Sequence, residues 1–262
     1  MKIRYLGWAG IEIDFNGQTL LIDYIQDTSA ILSDAQFPQP LRPGGAIAAL
    51  VTHLHADHAD PDALVHALAP GAPVFRPAPT PGEGDDLAWT AQTEREFALS
   101  GLKTVITQPW QWHQAGPFRM MSGPAVDGLG DPQCCWIVEA GECCILHAGD
   151  TLNHGYWWAL ARQVSHIDIA FLPVNGAVVA LPHLQPPSPF NATMLPEEAA
   201  VAAHILGATQ IVPIHHGELH RPGIYEETPD AVARLCEKAR DLGIVPRVVK
   251  RGDWVTPVQA GA

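Results

Sequence analysis

The sequence predicts an α/β protein in which two β-sheets pack face to face with helices on their outer faces. Three observations support this. The first half reads as a strand-rich meander, and from about residue 156 onward helical and strand segments alternate in the manner of α/β units. The chain is 262 residues long and 47% hydrophobic, enough to bury a sizeable core, and no linker interrupts it, so residues 1–262 are expected to form a single domain.

The elements follow from local pattern. Ile3, Tyr5, Ile11, Ile13 and Phe15 alternate with period two, and Asn16-Gly17 turns the chain into a second strand from Thr19 to Asp23. A Pro- and Gly-rich stretch from Phe37 to Gly45 leads to a short apolar strand, Ile47 to Val51. Pro61 to Ala69 reads as a helix with proline at its start, Pro73 to Arg76 as a strand and Gln92 to Leu99 as a helix. Strands are expected near Lys103 to Thr107 and Phe118 to Ser122. Cys134 to Glu139 and Cys143 to His147 form a hairpin about Ala140-Gly141. Then come a helix near Tyr156 to Val164, strand Ile167 to Pro173, helix Pro196 to Leu206, strand Gln210 to Ile214, helix Pro229 to Leu242 and strand Val245 to Val249.

Composition narrows function. Fifteen basic against 28 acidic residues give a net charge of -13, which opposes a nucleic-acid partner, because phosphate backbones are held by Lys and Arg clusters. No apolar run is long enough to span a membrane, so no integral-membrane role is expected. The amino terminus carries no basic segment followed by a long apolar stretch, and four of the five cysteines fall in the adjacent pairs Cys134-Cys135 and Cys143-Cys144, a poor disulfide framework. A cytoplasmic location is therefore expected, with one cysteine of each pair filling core. A homo-oligomer is neither required nor forbidden.

The strongest chemical signal is Val51-Thr52-His53-Leu54-His55-Ala56-Asp57-His58. It places imidazoles and a carboxylate on a loop at the carboxyl end of a buried strand, a donor mixture that suits zinc, iron or manganese. In extended chain alternate side chains share a face, so His53 and His55 can grip one ion while Asp57 and His58, past the turn, reach a second. The competing reading is a histidine-rich surface loop whose Asp57 or Asp60 caps the following helix. Further donors lie at other strand ends. Asp150 follows Cys143 to Gly149 and can give one oxygen to each ion, with Gly149 letting the backbone turn closely; His215 follows Gln210 to Ile214.

As H-x-H-x-D-H, the segment from His53 to His58 resembles the metal-binding signature of the metallo-β-lactamase superfamily. Met194-Leu195-Pro196-Glu197-Glu198-Ala199 ahead of Pro213-Ile214-His215, together with Tyr5 to Gly10 and Leu21-Ile22-Asp23, is similar to the branch containing ascorbate-6-phosphate lactonase and N-acyl-phosphatidylethanolamine phospholipase D. The resemblance implies a four-layer αβ/βα sandwich with two divalent metal ions at one sheet edge, zinc being the usual ion. Members of the family carry a further histidine about two dozen residues before the bridging Gly-Asp. Here that place is held by Asp127, after Phe118 to Pro124. His113 preserves residue type but precedes the strand, so position favours Asp127 while His113 stays the alternative. A first site of His53, His55, Asp127 and Asp150 is harder and more anionic than an all-histidine one, which shifts preference toward manganese or iron.

Two ions sharing a hydroxide imply hydrolysis of a small ester, lactone, amide or phosphodiester, with Asp57 both a ligand and the group orienting the attacking oxygen. His216 is a candidate for stabilising the transition state, or else a solvated loop residue. Trp8, Trp110, Trp112, His154, Asn175 and His183 are candidates for lining a small-molecule pocket, each with core packing as the simpler alternative. A β-lactamase acting on amides and a non-catalytic metal-binding or redox protein are the competing functions.

Overall fold

A computed structural model describes residues 1–27, 36–80, 88–181, 184–219 and 221–257. The first sheet takes the order β16-β1-β2-β3-β4-β5-β6, with β1 Lys2–Gly7, β2 Gly10–Phe15, β3 Gln18–Ile22, β4 Ala48–Leu50, β5 Pro73–Arg76, β6 Lys103–Ile106 and β16 Trp254–Val255. The second takes the order β15-β13-β11-β10-β9-β8-β7, with β7 Gln111–Ala115, β8 Phe118–Pro124, β9 Cys134–Ala140, β10 Cys143–His147, β11 Ile167–Pro173, β13 Ala208–Ile214 and β15 Val245–Pro246. β12 (Val178–Val179) and β14 (Tyr225–Glu226) form a separate two-stranded ribbon. The helices are α1 Pro61–Ala67, α2 Ala88–Ser100, α3 Trp157–Ala161, α4 Pro196–Leu206 and α5 Ala231–Asp241.

Side-chain alternation builds the layers. In and beside β4, Ala48 and Leu50 enter the core between the sheets, while Ala49 and Val51 turn outward to pack with Ala63 and Leu64 of α1 and Phe97 of α2. The second sheet does the same: Cys134 and Trp136 face the first sheet, whereas Cys135 and Ile137 pack outward with Trp157 of α3, Ala199 and Ala203 of α4 and Leu235 of α5. The result is helix, sheet, sheet, helix, the four-layer sandwich. Each cysteine pair divides between faces, but Cys135 is as buried as Cys134, because the outer face is itself a core.

Each sheet is antiparallel in one part and parallel in the other, and the parallel parts matter for function. β3, β4, β5 and β6 run parallel, as do β10, β11, β13 and β15, so their carboxyl ends gather at common edges. That is where ligands bind in open α/β sheets. The hairpin Phe15↔Gln18 closes through Asn16-Gly17 with φ of 51° and 79°, the positive values that a two-residue turn of this type requires.

Several elements depart from expectation: β12, β14 and β16 are not among the expected strands, and α2 begins at Ala88, ahead of the expected Gln92. β7 covers Gln-Trp-His-Gln-Ala, a polar edge strand with no apolar alternation to announce it. The expected strand Val245 to Val249 pairs only over Val245–Pro246, and the helix near Tyr156 to Val164 is confined to Trp157–Ala161.

Candidate metal centre

The motif loop is braced from behind before it presents any donor. Asp23, wholly buried at the end of β3, accepts from Thr52 N (2.8 Å) and Thr52 Oγ1 (2.7 Å) through its two oxygens, and His58 Nδ1 lies 2.8 Å from Oδ2. The carboxylate fixes the His58 tautomer: Nδ1 carries the proton, leaving the Nε2 lone pair free. Thr52 spends its only proton on Asp23, so its oxygen accepts from His53 Nδ1 at 3.1 Å and His53 Nε2 is also left unprotonated. Across the site, Asp131 Oδ2 lies 2.8 Å from His55 Nε2, which frees His55 Nδ1. Asp60 caps α1 through Ala63 N and takes Gln26 N and Asp27 N on its other oxygen, tying the loop after β3 to the motif.

The freed atoms converge. His53 Nε2 is 2.9 Å from His55 Nδ1 and 3.6 Å from Asp150 Oδ2, and His55 Nδ1 is 3.8 Å from Asp127 Oδ2. Beside them, Asp57 Oδ2 lies 3.6 Å from His58 Nε2 and 3.3 Å from His215 Nε2, which is 3.9 Å from Asp150 Oδ2. Donors around one tetrahedral cation with bonds near 2.0–2.1 Å sit about 3.3 Å apart, so these separations fit. Among the described residues, three overlapping sets have donor atoms all within 4.8 Å: His53, His55, Asp127 and Asp150; His53, Asp57 and His58; and His58, Asp150 and His215.

Buried atoms without partners give the second test. His58 Nε2, Asp127 Oδ2 and Asp150 Oδ1 are buried and make no hydrogen bond, a cost of about 1–3 kcal/mol or more for each if nothing met them. Two imidazole lone pairs at 2.9 Å likewise repel unless a cation or proton lies between them. The residues fit a divalent metal centre on both counts.

Electrostatics agree. Burial raises Asp127 to about 6, the charge of His55 opposing and that of Asp150 adding. Burial alone would lower His55, but the hydrogen bond its Nε2 donates to Asp131 and the charges of Asp127, Asp150 and Asp57 outweigh it and hold the ring at about 10. Burial, with neighbouring His58 and His55, drives His53 well below its usual value. Such a crowd of buried acids and imidazoles calls for positive charge in its midst.

Asp127, not His113, enters the donor set. Asp127 Oδ1 accepts from Leu129 N (2.6 Å) and Asp131 N (3.2 Å), which aims Oδ2 at His55. His113 points elsewhere: its Nε2 is 2.8 Å from Thr107 Oγ1, and its ring packs between Phe75 and Trp136.

The remaining candidates separate by direction. Trp8 is wholly buried and is no pocket wall: its Nε1 donates to Asp57 Oδ2 at 2.9 Å and its ring lies 4.0 Å from that of His215. Trp8 O accepts from His215 N, and both residues have positive φ, 53° and 58°, so the two loops are interlocked. Trp112 also leaves the pocket group; it packs in the outer layer beneath the Arg119 guanidinium, 3.6 Å away. Trp110 is exposed and edge-on to Tyr156, and His154 stacks on Trp157 at 3.9 Å. Asn175 is wholly buried and hydrogen-bonded to Tyr225. His216 is half-buried, desolvation lowers its ionisation, and it joins none of the donor sets. His183 lies outside the described residues.

Sequence reasoning missed Asp131 and the bracing role of Asp23. The signal for Asp23 was present, since a carboxylate ending β3 is delivered beside Thr52 by the parallel register Ile22↔Leu50. Gly149, with φ of 68°, passes where a Cβ would come within 2.9 Å of the Thr52 side chain and 2.6 Å of Gln133 Nε2, which explains the glycine before Asp150.

The geometry agrees with what the chain is similar to. The profile of the beta-lactamase superfamily domain matches residues 2–215. A UPF0173 metal-dependent hydrolase of Geobacillus thermodenitrificans is 30% identical over 245 residues, covering 90% of this chain and 93% of the relative. One from Symbiobacterium thermophilum is 28% identical over 257 residues, covering 94% and 97%. Among solved structures, a metallo hydrolase from the hyperthermophilic archaeon Ignicoccus hospitalis superposes with a TM-score of 0.64 at 18% identity over 97% of each chain, which shows the shared fold. The chain belongs to the beta-lactamase superfamily and, within it, to the UPF0173 metal-dependent hydrolases.

Proposed function

We propose that the protein is a binuclear metal-dependent hydrolase that cleaves a small ester, lactone, amide or phosphodiester. The observation that carries this is Asp150: it belongs to the set with His53, His55 and Asp127 and also to the set with His58 and His215, as a carboxylate shared between two cations must. When bound, two divalent cations supply an activated water and polarise the bond under attack.

The chain's own residues do the rest. His53, His55, Asp127 and Asp150 would hold one cation; Asp57, His58, Asp150 and His215 would hold the other. Asp57, fixed by Trp8 Nε1, presents an acceptor to the attacking water. The carboxylate of Asp127 favours manganese or iron more than a histidine would, with zinc still in the range of this donor set. Among small substrates, the likeness of Met194 to Ala199 and Pro213 to His215 to the lactonase and phospholipase D branch favours lactones and phosphodiesters first. Cys134, Cys135, Cys143, Cys144 and Cys236 are all unpaired, which supports a reducing, cytoplasmic setting. Among the described residues no helix is long and apolar enough to cross a membrane.

The test is metal analysis joined to turnover. Two equivalents of metal per chain and hydrolysis of a lactone, ester or phosphodiester panel are expected, with Asp57→Ala folded but inactive. One equivalent or none at saturation, or a fully active Asp57→Ala, would refute the proposal.

A further inference from the structure

β10, β11 and β13 are parallel neighbours, so their carboxyl ends bring Asp150, Asn175 and His215 to one edge, with Asn175 between two of the donor residues. Asn175 is locked on every side. Its Oδ1 accepts from Thr193 Oγ1 at 2.5 Å, its backbone oxygen accepts from Thr228 N at 2.7 Å, and its Nδ2 donates to Tyr225 Oη at 2.7 Å. A phenol oxygen that accepts from an amide has its own proton free for another acceptor.

Tyr225 lies within the field of the donor cluster. Burial raises its ionisation well above the ordinary phenol range, and the negative charge of Asp57, then those of Asp150 and Glu227, raise it further against the Asn175 hydrogen bond. The phenol therefore stays protonated, and its bond to Asn175 holds its oxygen at the sheet edge that carries Asp150 and His215. The strand bearing it is anchored to the metal edge, since Glu227 accepts from Gly217 N at 3.0 Å, two residues after His215. The ribbon pairing of β14 with β12 uses only the backbone of Tyr225, and the hydroxyl, having met Asn175 Nδ2, still has its own proton to give.

We propose that Tyr225 is a catalytic hydrogen-bond donor to the oxygen on which negative charge develops during hydrolysis, with Asn175 and Thr193 positioning it. The assignment rests on the hydrolase reading above. For a carbonyl ester, the attacking water gives one proton to Asp57 while its oxygen bonds to the carbonyl carbon, and the π electrons pass to the carbonyl oxygen, which accepts from Tyr225 Oη. As that pair returns, the bond to the leaving alkoxide breaks and the alkoxide takes up the proton held by Asp57, giving the acid and the alcohol. The phenol keeps its proton throughout.

The test compares wild type with Tyr225→Phe, both loaded with zinc and matched for metal content by elemental analysis. Inorganic phosphate, a tetrahedral oxyanion, is titrated calorimetrically, and turnover of 4-nitrophenyl acetate is measured alongside. The variant is expected to bind phosphate about tenfold more weakly and to lose about 10²-fold in kcat with KM unchanged, the range for one oxyanion donor. Thr193→Val, which frees Asn175 while keeping the phenol, is expected to show a smaller loss in kcat, and it serves if Tyr225→Phe fails to fold. Wild-type phosphate affinity in Tyr225→Phe, absence of phosphate binding to either protein, or an unchanged kcat overturns the assignment. If the wild type turns over nothing, the hydrolase reading fails separately and phosphate affinity alone decides Tyr225.

Discussion

Asp131 Oδ2 lies 2.8 Å from His55 Nε2, on the side of the ring turned away from the donor cluster. Its other oxygen accepts from Thr80 Oγ1, and its backbone nitrogen donates to Asp127 Oδ1. One residue therefore orients two donors of the first site. Replacing such a partner typically costs 10–100-fold in metal affinity. Asp131→Ala is expected to weaken the first site by about that factor while leaving the second site, braced by Asp23, unchanged. Competition against a chelator resolves the two steps, and equal affinity at the first site in variant and wild type would show that Asp131 does not orient His55.

How much of this was legible in sequence depends on the range of the interaction. His53, His55, Asp57, His58, Asp150 and His215 all follow buried strands, and a polar residue ending an apolar run at a sheet edge is visible locally. Asp131 is not, because it meets His55 across 76 residues of chain, from a loop whose path is set by neither neighbour. β7 was invisible for a different reason: its inward face is His113 and Ala115 and its outer face carries Trp112, so polarity does not alternate along it. Trp8 shows the limit of position alone. It directly follows β1, but its direction, into the core with Nε1 on Asp57, depends on the φ of 53° and the packing against His215.

Asp127 sets the metal preference of the first site. Its Oδ1 is held by two backbone nitrogens, so Oδ2 is a fixed, hard, anionic donor. Asp127→His introduces a softer neutral donor and removes one negative charge, and the ratio of zinc to manganese bound under equimolar competition is expected to rise about tenfold. Elemental analysis after dialysis against both ions measures it. An unchanged ratio would place the selectivity elsewhere.

His113 is structural. Thr107 Oγ1 bridges His113 Nε2 at 2.8 Å and Ser122 Oγ at 2.6 Å, a buried network joining the end of β6 to β7 and β8 and so linking the two sheets. His113→Leu is expected to lower unfolding free energy by about 1–3 kcal/mol through the unmet hydroxyls, with metal stoichiometry unchanged. Asp127→Ala should do the reverse, weakening the first site with a smaller effect on stability. Urea unfolding and elemental analysis of both variants separate the roles; loss of metal in His113→Leu would return it to the ligand set.

His154 makes stability depend on pH. Its Nδ1 accepts from Tyr156 N at 3.2 Å, its ring stacks on Trp157, and burial lowers its pKa from 6.5 to about 4. The folded value lies below the unfolded one, so the neutral ring is the form the fold favours. Above pH 6.5 both states are neutral and the contribution is fully present. As pH falls through 6.5 the unfolded chain takes up the proton first, and stability declines until the folded ring also titrates near 4. His154→Phe keeps the stack but carries no titratable nitrogen. The difference in unfolding free energy between wild type and His154→Phe is therefore expected to be flat above about pH 7 and to move against the wild type between 6.5 and 4. Because both proteins carry the same metal-site groups, those titrations cancel in the difference. A difference independent of pH across that window would mean that His154 is solvated in both states.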